Sequence, residues 1–290
     1  MSDHLLRILS EDGLVRACVA QTTGLVEEIR HRQQSDPTAT VAIGRLATGA
    51  ALMSSLLKGS QRLALGIEGN GPLCRLQAEA EACGTVRASL KQPTANLPLR
   101  QGQFDVAGAV GKAGFLHVVK DLGLKEPYRG MVQLFSSEIA EDIAYYFTTS
   151  EQTPSSVGLG VELDLQGRVA VAGGFLLQLM PGAPDELADQ LENRIRALPP
   201  TTEQLRQGAS PQQLAESLLH DIPLRILGKT PLSFACHCSH QQSAALLALL
   251  GREELTALME EQQRVTVTCE FCREVYPFAQ TELIAIRDRL

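Results

Sequence analysis

Hydrophobic and polar positions alternate along much of the first 180 residues with the two-residue period of half-buried strands. A loosely alternating run from Leu14 to Ile29 predicts an early strand. Glycine-containing turns separate the later runs, which predicts antiparallel strands joined by tight turns. These runs cover residues 62–90, 115–119, 130–135, 157–163 and 169–178, with turns at Gly69-Asn70-Gly71-Pro72, Gly84 and Gln166-Gly167.

One segment in this half has helical spacing and a clear start signal. Asp36-Pro37 supplies a capping side chain and a first-turn proline, which predicts a helix that continues to Leu57. Gly59 follows as a residue that can end it. Gly44 and Gly49 lie inside the helix, and we expect them to allow close packing.

A second helix is predicted after residue 136. Ser137 is expected to cap it, and Glu138 and Glu141 give it an acidic first turn. Its buried stripe follows helical spacing and consists of Ile139, Ile143, Tyr146 and Phe147. Strands and helices together predict an α+β protein whose N-terminal domain, residues 1–180, has a mixed core of helices and sheet.

The pattern changes after residue 180, and a helical linker is predicted from 181 to 232. Seven acidic and three arginine side chains lie between residues 185 and 221. Ser210 and Gln213 form a capping box that starts a second helix after Pro199-Pro200. Short helices of this kind are marginal alone, so the linker is expected to fold by docking onto another element. The first helix carries a thin apolar stripe, Leu187, Leu191 and Ile195.

The remaining residues, 233–290, predict a small C-terminal α/β module. Ser239 with Gln242 forms another capping box and opens a leucine-rich helix, which Gly251 is expected to end. Val265 to Thr268 has the composition of a strand. The segment is under 60 residues long, a size at which a metal ion commonly replaces a missing core.

Composition narrows the classes of function. The chain has 290 residues, 44% of them hydrophobic, a net charge of −7, 4% aromatic residues and no tryptophan, which disfavours nucleic acid as a partner. The N-terminal residues lack the pattern of a secretory signal, and no run reaches the ~20 apolar residues of a membrane span. We therefore expect a cytoplasmic protein with no membrane partner, in which thiols are kept reduced.

Four cysteines in the C-terminal module provide the strongest chemical signal. Zn²⁺ prefers soft thiolate ligands in a closed tetrahedral shell. We therefore predict one Zn²⁺ per chain in the reduced state. The adjacent His237 and His240 remain less favoured alternative ligands, because four sulfurs already complete the shell. The predicted ligands form two close pairs, Cys236 with Cys238 and Cys269 with Cys272.

Two uses of this zinc stay open. It can be a structural ion that stabilises a small module, or part of a redox switch in which oxidation competes with ligation. The short spacing of Cys236 and Cys238 favours the switch, because a disulfide there closes a small, strained ring. Arg264 and Arg273 lie near the second pair, where they either offset the negative charge of a zinc tetrathiolate or are simply solvated surface residues. The other cysteines are predicted to be inert core residues: Cys18, Cys74 and Cys83.

Several longer stretches resemble one family from about residue 5 to 287. They are LGIEGNGPL (65–73), GTVRASLKQP (84–93), LGLKEPYRG (122–130), SEQTPSSVGLGV (150–161), AGGFLLQLMPGA (172–183) and the CHC and CEFC pairs. The chain resembles the redox-regulated 33-kDa heat-shock chaperone family. His237 within the first pair and Arg273 after the second depart from the pattern of many members.

The resemblance implies an ATP-independent holdase that prevents aggregation of unfolded client proteins under oxidative stress, and not an enzyme. It implies that the reduced zinc form is inactive. Oxidation would then form the disulfides Cys236–Cys238 and Cys269–Cys272, zinc would leave, and the linker would unfold. We expect a homodimer in the oxidised form.

Two other functions remain as alternatives. The Cys269-Glu270-Phe271-Cys272 motif can belong to a thiol-disulfide oxidoreductase, although such motifs usually open a helix beside a parallel sheet. A zinc-ribbon adaptor for nucleic acid or protein is the other alternative, and the negative charge disfavours it. No nucleotide-binding loop is found, since Gly69-Asn70-Gly71 is better explained as a turn.

Overall fold

The computed structural model describes residues 2–262 and 264–290. The chain forms two compact units, one ending at Ala235 and one starting at Cys236. Both units combine helices with strands, which confirms the α+β prediction. The division into 1–180, 181–232 and 233–290 stays a prediction.

Groups of consecutive strands and groups of helices follow one another along the described residues. The strands are β1 (His4–Ser10), β2 (Val15–Gln21), β3 (Arg62–Gly69), β4 (Arg75–Glu81), β5 (Thr85–Leu90), β6 (Gly114–Asp121), β7 (Tyr128–Gln133), β8 (Ser155–Leu163), β9 (Val169–Leu179), β10 (Leu224–Pro231), β11 (Ser233–Phe234), β12 (Val265–Thr268) and β13 (Val275–Phe278). The helices are α1 (Thr23–Gln33), α2 (Pro37–Ser54), α3 (Val106–Val110), α4 (Ala140–Ser150), α5 (Asp185–Ala197), α6 (Thr201–Arg206), α7 (Pro211–Leu218), α8 (His240–Ala248), α9 (Gly251–Glu261) and α10 (Gln280–Arg287). Within the described residues, none of these helices combines the length and apolar character needed to cross a membrane.

The first sheet has five antiparallel strands in the order β10-β1-β2-β9-β8. The predicted early strand ends at Gln21, and α1 follows; its continuation to Ile29 was therefore wrong. Leu25, Val26 and Ile29 instead form a buried helical face. Pairing of β10 with β1 places Leu224–Pro231 in a strand, so the prediction that the whole linker is helical was also wrong.

The second sheet has the order β11-β5-β4-β3-β6-β7. Its predicted hairpins are confirmed, although the last predicted strand, 130–135, lies two residues earlier. The Gly69-Asn70-Gly71 segment is a turn: the Gly71 amide donates to the Val110 carbonyl at 2.9 Å. A Cβ on Gly71 would lie 2.4 Å from the Ala109 carbonyl oxygen, so glycine is needed there for close approach.

Helix α2 lies between the two sheets of this unit and is almost entirely buried. Its predicted cap is confirmed, because the Asp36 carboxylate accepts from the Ala39 amide at 2.7 Å. A Cβ on Gly44 would lie 2.6 Å from Val26, and one on Gly49 would lie 2.5 Å from Ile143, so both glycines permit close packing as predicted. The helix ends at Ser54, before Gly59.

The predicted start of α4 was wrong in its capping residue. Asp142, rather than Ser137, accepts hydrogen bonds from the free backbone amides at the start of the helix. Its buried carboxylate accepts from the Ile139 amide at 3.0 Å. The Ser137 hydroxyl donates instead to the Gly111 carbonyl at 2.6 Å. The Asp142 carboxylate also accepts from the amides of Phe135, Ser136 and Ser137. The predicted buried stripe is confirmed.

Helices α5, α6 and α7 pack on the face of the first sheet that points away from α2. The capping box of Ser210 and Gln213 is confirmed at the start of α7, whereas α6 was not predicted. Leucines of these helices join strand residues in a second core. Its fully or nearly buried members include Ile8, Val15, Val19, Leu177, Leu191, Leu214 and Leu218.

The unit from Cys236 to Leu290 contains α8, α9, β12, β13 and α10. The β12 strand is confirmed. Of the predicted capping box, the Ser239 cap is confirmed, since the Ser239 hydroxyl accepts from the Gln242 amide at 3.2 Å. Gly251, with a φ of +82°, begins α9 instead of ending α8. The buried core of this unit is small: Leu247, Leu255, Val265, Phe278 and Leu283.

Candidate metal centre

Four cysteine sulfurs converge in the second unit. The Sγ atoms of Cys236, Cys238, Cys269 and Cys272 all lie within 4.8 Å of one another. Cys238 Sγ lies 3.2 Å from Cys272 Sγ, and Cys236 Sγ lies 3.7 Å from Cys269 Sγ. Zn–S bonds of ~2.3 Å in a tetrahedron require sulfurs ~3.8 Å apart. The arrangement therefore fits one tetrahedral Zn²⁺, and ligation by these residues stays a prediction.

Local structure explains how the second pair is held. Strands β12 and β13 pair from Val265↔Phe278 to Thr268↔Val275, and the cysteines lie in the turn between them. The Cys269 amide donates to the Glu274 carbonyl at 2.9 Å, and the Arg273 amide donates to the Cys269 carbonyl at 3.0 Å. Arg273 is exposed and has a φ of +63°, a conformation that favours glycine.

The first pair lies in the segment between β11 and α8. Cys238 directly precedes the Ser239 cap, so the start of α8 fixes its position. Partial burial raises the pKa of the Cys238 and Cys272 thiols. Crowded thiolates repel one another as well, and a divalent cation offsets both effects by stabilising the charged form.

A tyrosine that was not predicted contacts the cluster. The Tyr276 hydroxyl lies 3.2 Å from Cys238 Sγ. This hydrogen bond raises the pKa of Tyr276, so the hydroxyl keeps its proton. Tyr276 and Phe278 are more buried than Val275 and Pro277, and the contact of Tyr276 with Cys238 depends on the pairing of β12 with β13, which the sequence alone does not give.

The two histidines near the first pair lie outside the sulfur cluster. His240 Nε2 lies 3.2 Å from the Pro277 carbonyl oxygen and 3.6 Å from a Glu282 carboxylate oxygen. Its ring stacks on Phe278 with centroids 4.3 Å apart. His240 therefore connects the start of α8 to β13 and α10. Arg264 precedes β12 and is exposed.

The other cysteines divide into one buried and two exposed residues. Cys18 is buried as predicted, burial raises its pKa, and the Ser55 hydroxyl donates to its sulfur at 2.9 Å. Cys74 and Cys83 are exposed, so their predicted core placement was wrong. They lie in the turns on either side of β4, where side chains project into solvent.

Comparisons with known proteins agree over the whole chain. A family model described as "Hsp33 protein" matches residues 3–279. A "33 kDa chaperonin" of Syntrophotalea carbinolica is 54% identical over 99% of this chain and 99% of its own length. The "33 kDa chaperonin" of Geobacter sulfurreducens is 49% identical, covering 100% of this chain and 96% of the relative.

A solved structure shares the fold as well. The crystal structure of the 33 kDa chaperonin (heat shock protein 33 homolog) from Thermotoga maritima superposes with a TM-score of 0.92 at 35% identity. The match covers 100% of this chain and 99% of the Thermotoga chain. Together with the cysteine cluster, these matches show that the chain belongs to the Hsp33 family.

Proposed function

We propose that this protein is an ATP-independent chaperone that holds unfolded proteins and is switched on by oxidation. Membership of the Hsp33 family, whose relatives are named chaperonins, supports the chaperone activity. The convergence of four sulfurs within 4.8 Å carries the redox part, because one cluster can serve as both metal ligands and oxidation target. The reduced form with one Zn²⁺ is inactive.

Cys236, Cys238, Cys269 and Cys272 would hold the ion. Bound Zn²⁺ supplies positive charge that keeps these sulfurs as thiolates, and it ties the segment before α8 to the β12–β13 turn. Among the described residues of this unit, the fully or nearly buried core consists of five apolar side chains. Loss of the metal removes binding free energy on the order of 10 kcal/mol, which is comparable to the whole stability of a small domain. The unit should unfold when the metal leaves.

Oxidation by a peroxide converts the cluster into two disulfides. Each pair of thiolates gives two electrons to one peroxide molecule, a sulfur–sulfur bond forms, and the peroxide oxygens leave as water after taking up two protons. In the oxidised form these residues would no longer hold Zn²⁺, because disulfide sulfurs carry no negative charge. The proposed bonds are Cys236–Cys238 and Cys269–Cys272.

The linker, residues 181–232, is the proposed client-binding element. Its helices are short and depend on leucines such as Leu191 and Leu214 that dock on the first sheet. The chain enters the cluster through β11, whose ends are held by bonds from the Ser233 amide to Gly84 and from the Ala235 amide to Val86, both 3.2 Å. The chain that unfolds at Cys236 is therefore connected to the linker through β11, which has only two residues. Unfolding there can pull β11 away and loosen the end of the linker.

Once undocked, the leucines can bind apolar segments of unfolded clients. We expect the oxidised protein to be a homodimer and to act in the cytoplasm.

A titration with hypochlorite tests this function. Zinc release and suppression of aggregation of an unfolded client are measured on the same samples, and suppression should appear only after the metal has left. The double variant Cys74→Ser with Cys83→Ser removes the exposed thiols outside the cluster and should behave like the original protein. Equal protection by the reduced zinc form would refute the switch, and catalytic reduction of insulin would indicate an oxidoreductase.

A further inference from the structure

Tyr276 reaches the sulfur cluster from outside the set of four cysteines. Its hydroxyl oxygen lies 3.2 Å from Cys238 Sγ, a normal distance for a hydrogen bond to sulfur. A metal-bound thiolate has no proton to give, so in the proposed zinc form the hydroxyl must be the donor and Cys238 the acceptor.

The position of Tyr276 is fixed by its surroundings. Tyr276 pairs with Val267 across the β12–β13 ladder, and its neighbour Phe278 lies in the core of the unit. The rings of His240 and Tyr276 are in an edge-to-face arrangement, with centroids 6.3 Å apart. The hydroxyl is therefore held toward Cys238 by the ring and strand, and these contacts remain when the hydroxyl alone is removed.

A hydrogen bond to a thiolate withdraws electron density from the sulfur. Attack by that sulfur on an oxidant or alkylating reagent uses the same electron pair, so the reaction slows. Removing the donor should accelerate reaction at the acceptor sulfur and leave the other ligands less affected.

We infer that Tyr276 is a positioning residue whose hydroxyl holds the Cys238 thiolate and lowers its reactivity, thereby setting the oxidant concentration at which the first cysteine pair opens. The inference rests on the proposed function, since it concerns regulation of the same four-sulfur site. In this role Tyr276 does not react with the oxidant itself and acts only through the Cys238 sulfur.

Alkylation of the full-length zinc-loaded protein by iodoacetamide measures the reactivity of each cysteine. The thiolate displaces iodide and forms a carbon–sulfur bond, and mass spectrometry identifies the modified residue. In Tyr276→Phe, Cys238 should react about three- to tenfold faster, because a hydrogen bond to a charged group is lost. Tyr145→Phe is the matched control, since it removes a hydroxyl from a half-exposed ring in the other unit.

Two further measurements separate this role from a structural one. With Co²⁺ in place of zinc, the sulfur-to-metal charge-transfer band of Tyr276→Phe should move to longer wavelength, since the sulfur donates more strongly. Replacing tyrosine by 3-fluorotyrosine at pH 7 keeps the ring and strengthens the donor. Alkylation of Cys238 should then become slower, the opposite of the phenylalanine effect.

Each result decides the inference. An unchanged Cys238 rate in Tyr276→Phe overturns it, and so does an equal acceleration at all four cysteines, which would indicate a loosened site. If the original protein shows no four-thiolate Co²⁺ spectrum at one ion per chain, the proposed function fails and the inference fails with it. If that spectrum is present and Tyr276→Phe matches the original protein, only the inference fails.

Discussion

Cys238 Sγ lies 3.2 Å from Cys272 Sγ, so a sulfur of the first pair faces a sulfur of the second pair. The same holds for Cys236 and Cys269, whose sulfurs are 3.7 Å apart. A tetrahedral ion brings both pairs together in this way, whereas disulfide formation must choose between bonds within pairs and bonds across them. The proposed switch therefore depends on which sulfurs become bonded to each other on oxidation.

We predict that oxidation forms bonds within the pairs, Cys236–Cys238 and Cys269–Cys272. Release of the metal separates the two chain segments, and closing a loop of a few residues then costs less entropy than closing one of more than 30. Mass spectrometry of peptides from the oxidised, unreduced protein reads the bonds directly. Cross-linked peptides joining Cys238 to Cys272 would contradict the proposed unfolding, because that bond would tie the segments together.

Metal removal is expected to unfold the second unit and to leave the central strands of the first sheet folded. A strong zinc chelator under reducing conditions should abolish hydrogen-exchange protection in β12 and β13, because five buried apolar residues are a small core. Protection in β2 should persist, since β2 pairs with β1 and β9 and one of its faces packs on the core around α2. Adding zinc back should restore protection, and full protection without metal would mean that the site is dispensable for folding.

The sequence predicts those parts of the fold that depend on neighbouring residues. Hairpins such as β8–β9 follow from strict alternation and a local turn, and the α2 start follows from Asp36 and its proline. Strand β10 was missed because it exists through pairing with β1, about 220 residues away in the chain, while most of its side chains are exposed.

The same distinction applies to the site. The four cysteines could be identified because the spacing of the two pairs is visible in the sequence and thiolates are the ligands that Zn²⁺ prefers. Tyr276 could not, because its contact with Cys238 depends on the register of β12 and β13 and on which face of the hairpin meets the first pair. Asp142 was missed for a related reason, since its carboxylate serves amides that precede the helix as well as the helix start.

Docking of the linker can be weakened with a single substitution. Leu191 in α5 is 2% exposed, so Leu191→Ala should leave a cavity and cost about 2–4 kcal/mol of local stability. Hydrogen exchange of residues 185–219 in the reduced zinc protein should become faster, while exchange in β12 and β13 stays unchanged. Leu165→Ala is the control, because Leu165 is fully exposed in the β8–β9 turn. Unchanged exchange in Leu191→Ala would show that this leucine does not hold the linker.

The turn that carries Cys269 and Cys272 contains a strained residue whose replacement should strengthen the site. Arg273 has a φ of +63°, which costs a residue with a side chain about 1 kcal/mol relative to glycine. Arg273→Gly should therefore stabilise the zinc-bound second unit by about that amount, and competition with a chromogenic chelator should show slower zinc loss.

Arg273→Ala provides the matched control, because it removes the same charge but keeps the Cβ that causes the strain. If both variants retain zinc equally well, the gain comes from charge and the strain argument is wrong. If only Arg273→Gly loses zinc more slowly, the backbone geometry of this turn contributes to how firmly zinc is held. The arginine then makes the cluster easier to open.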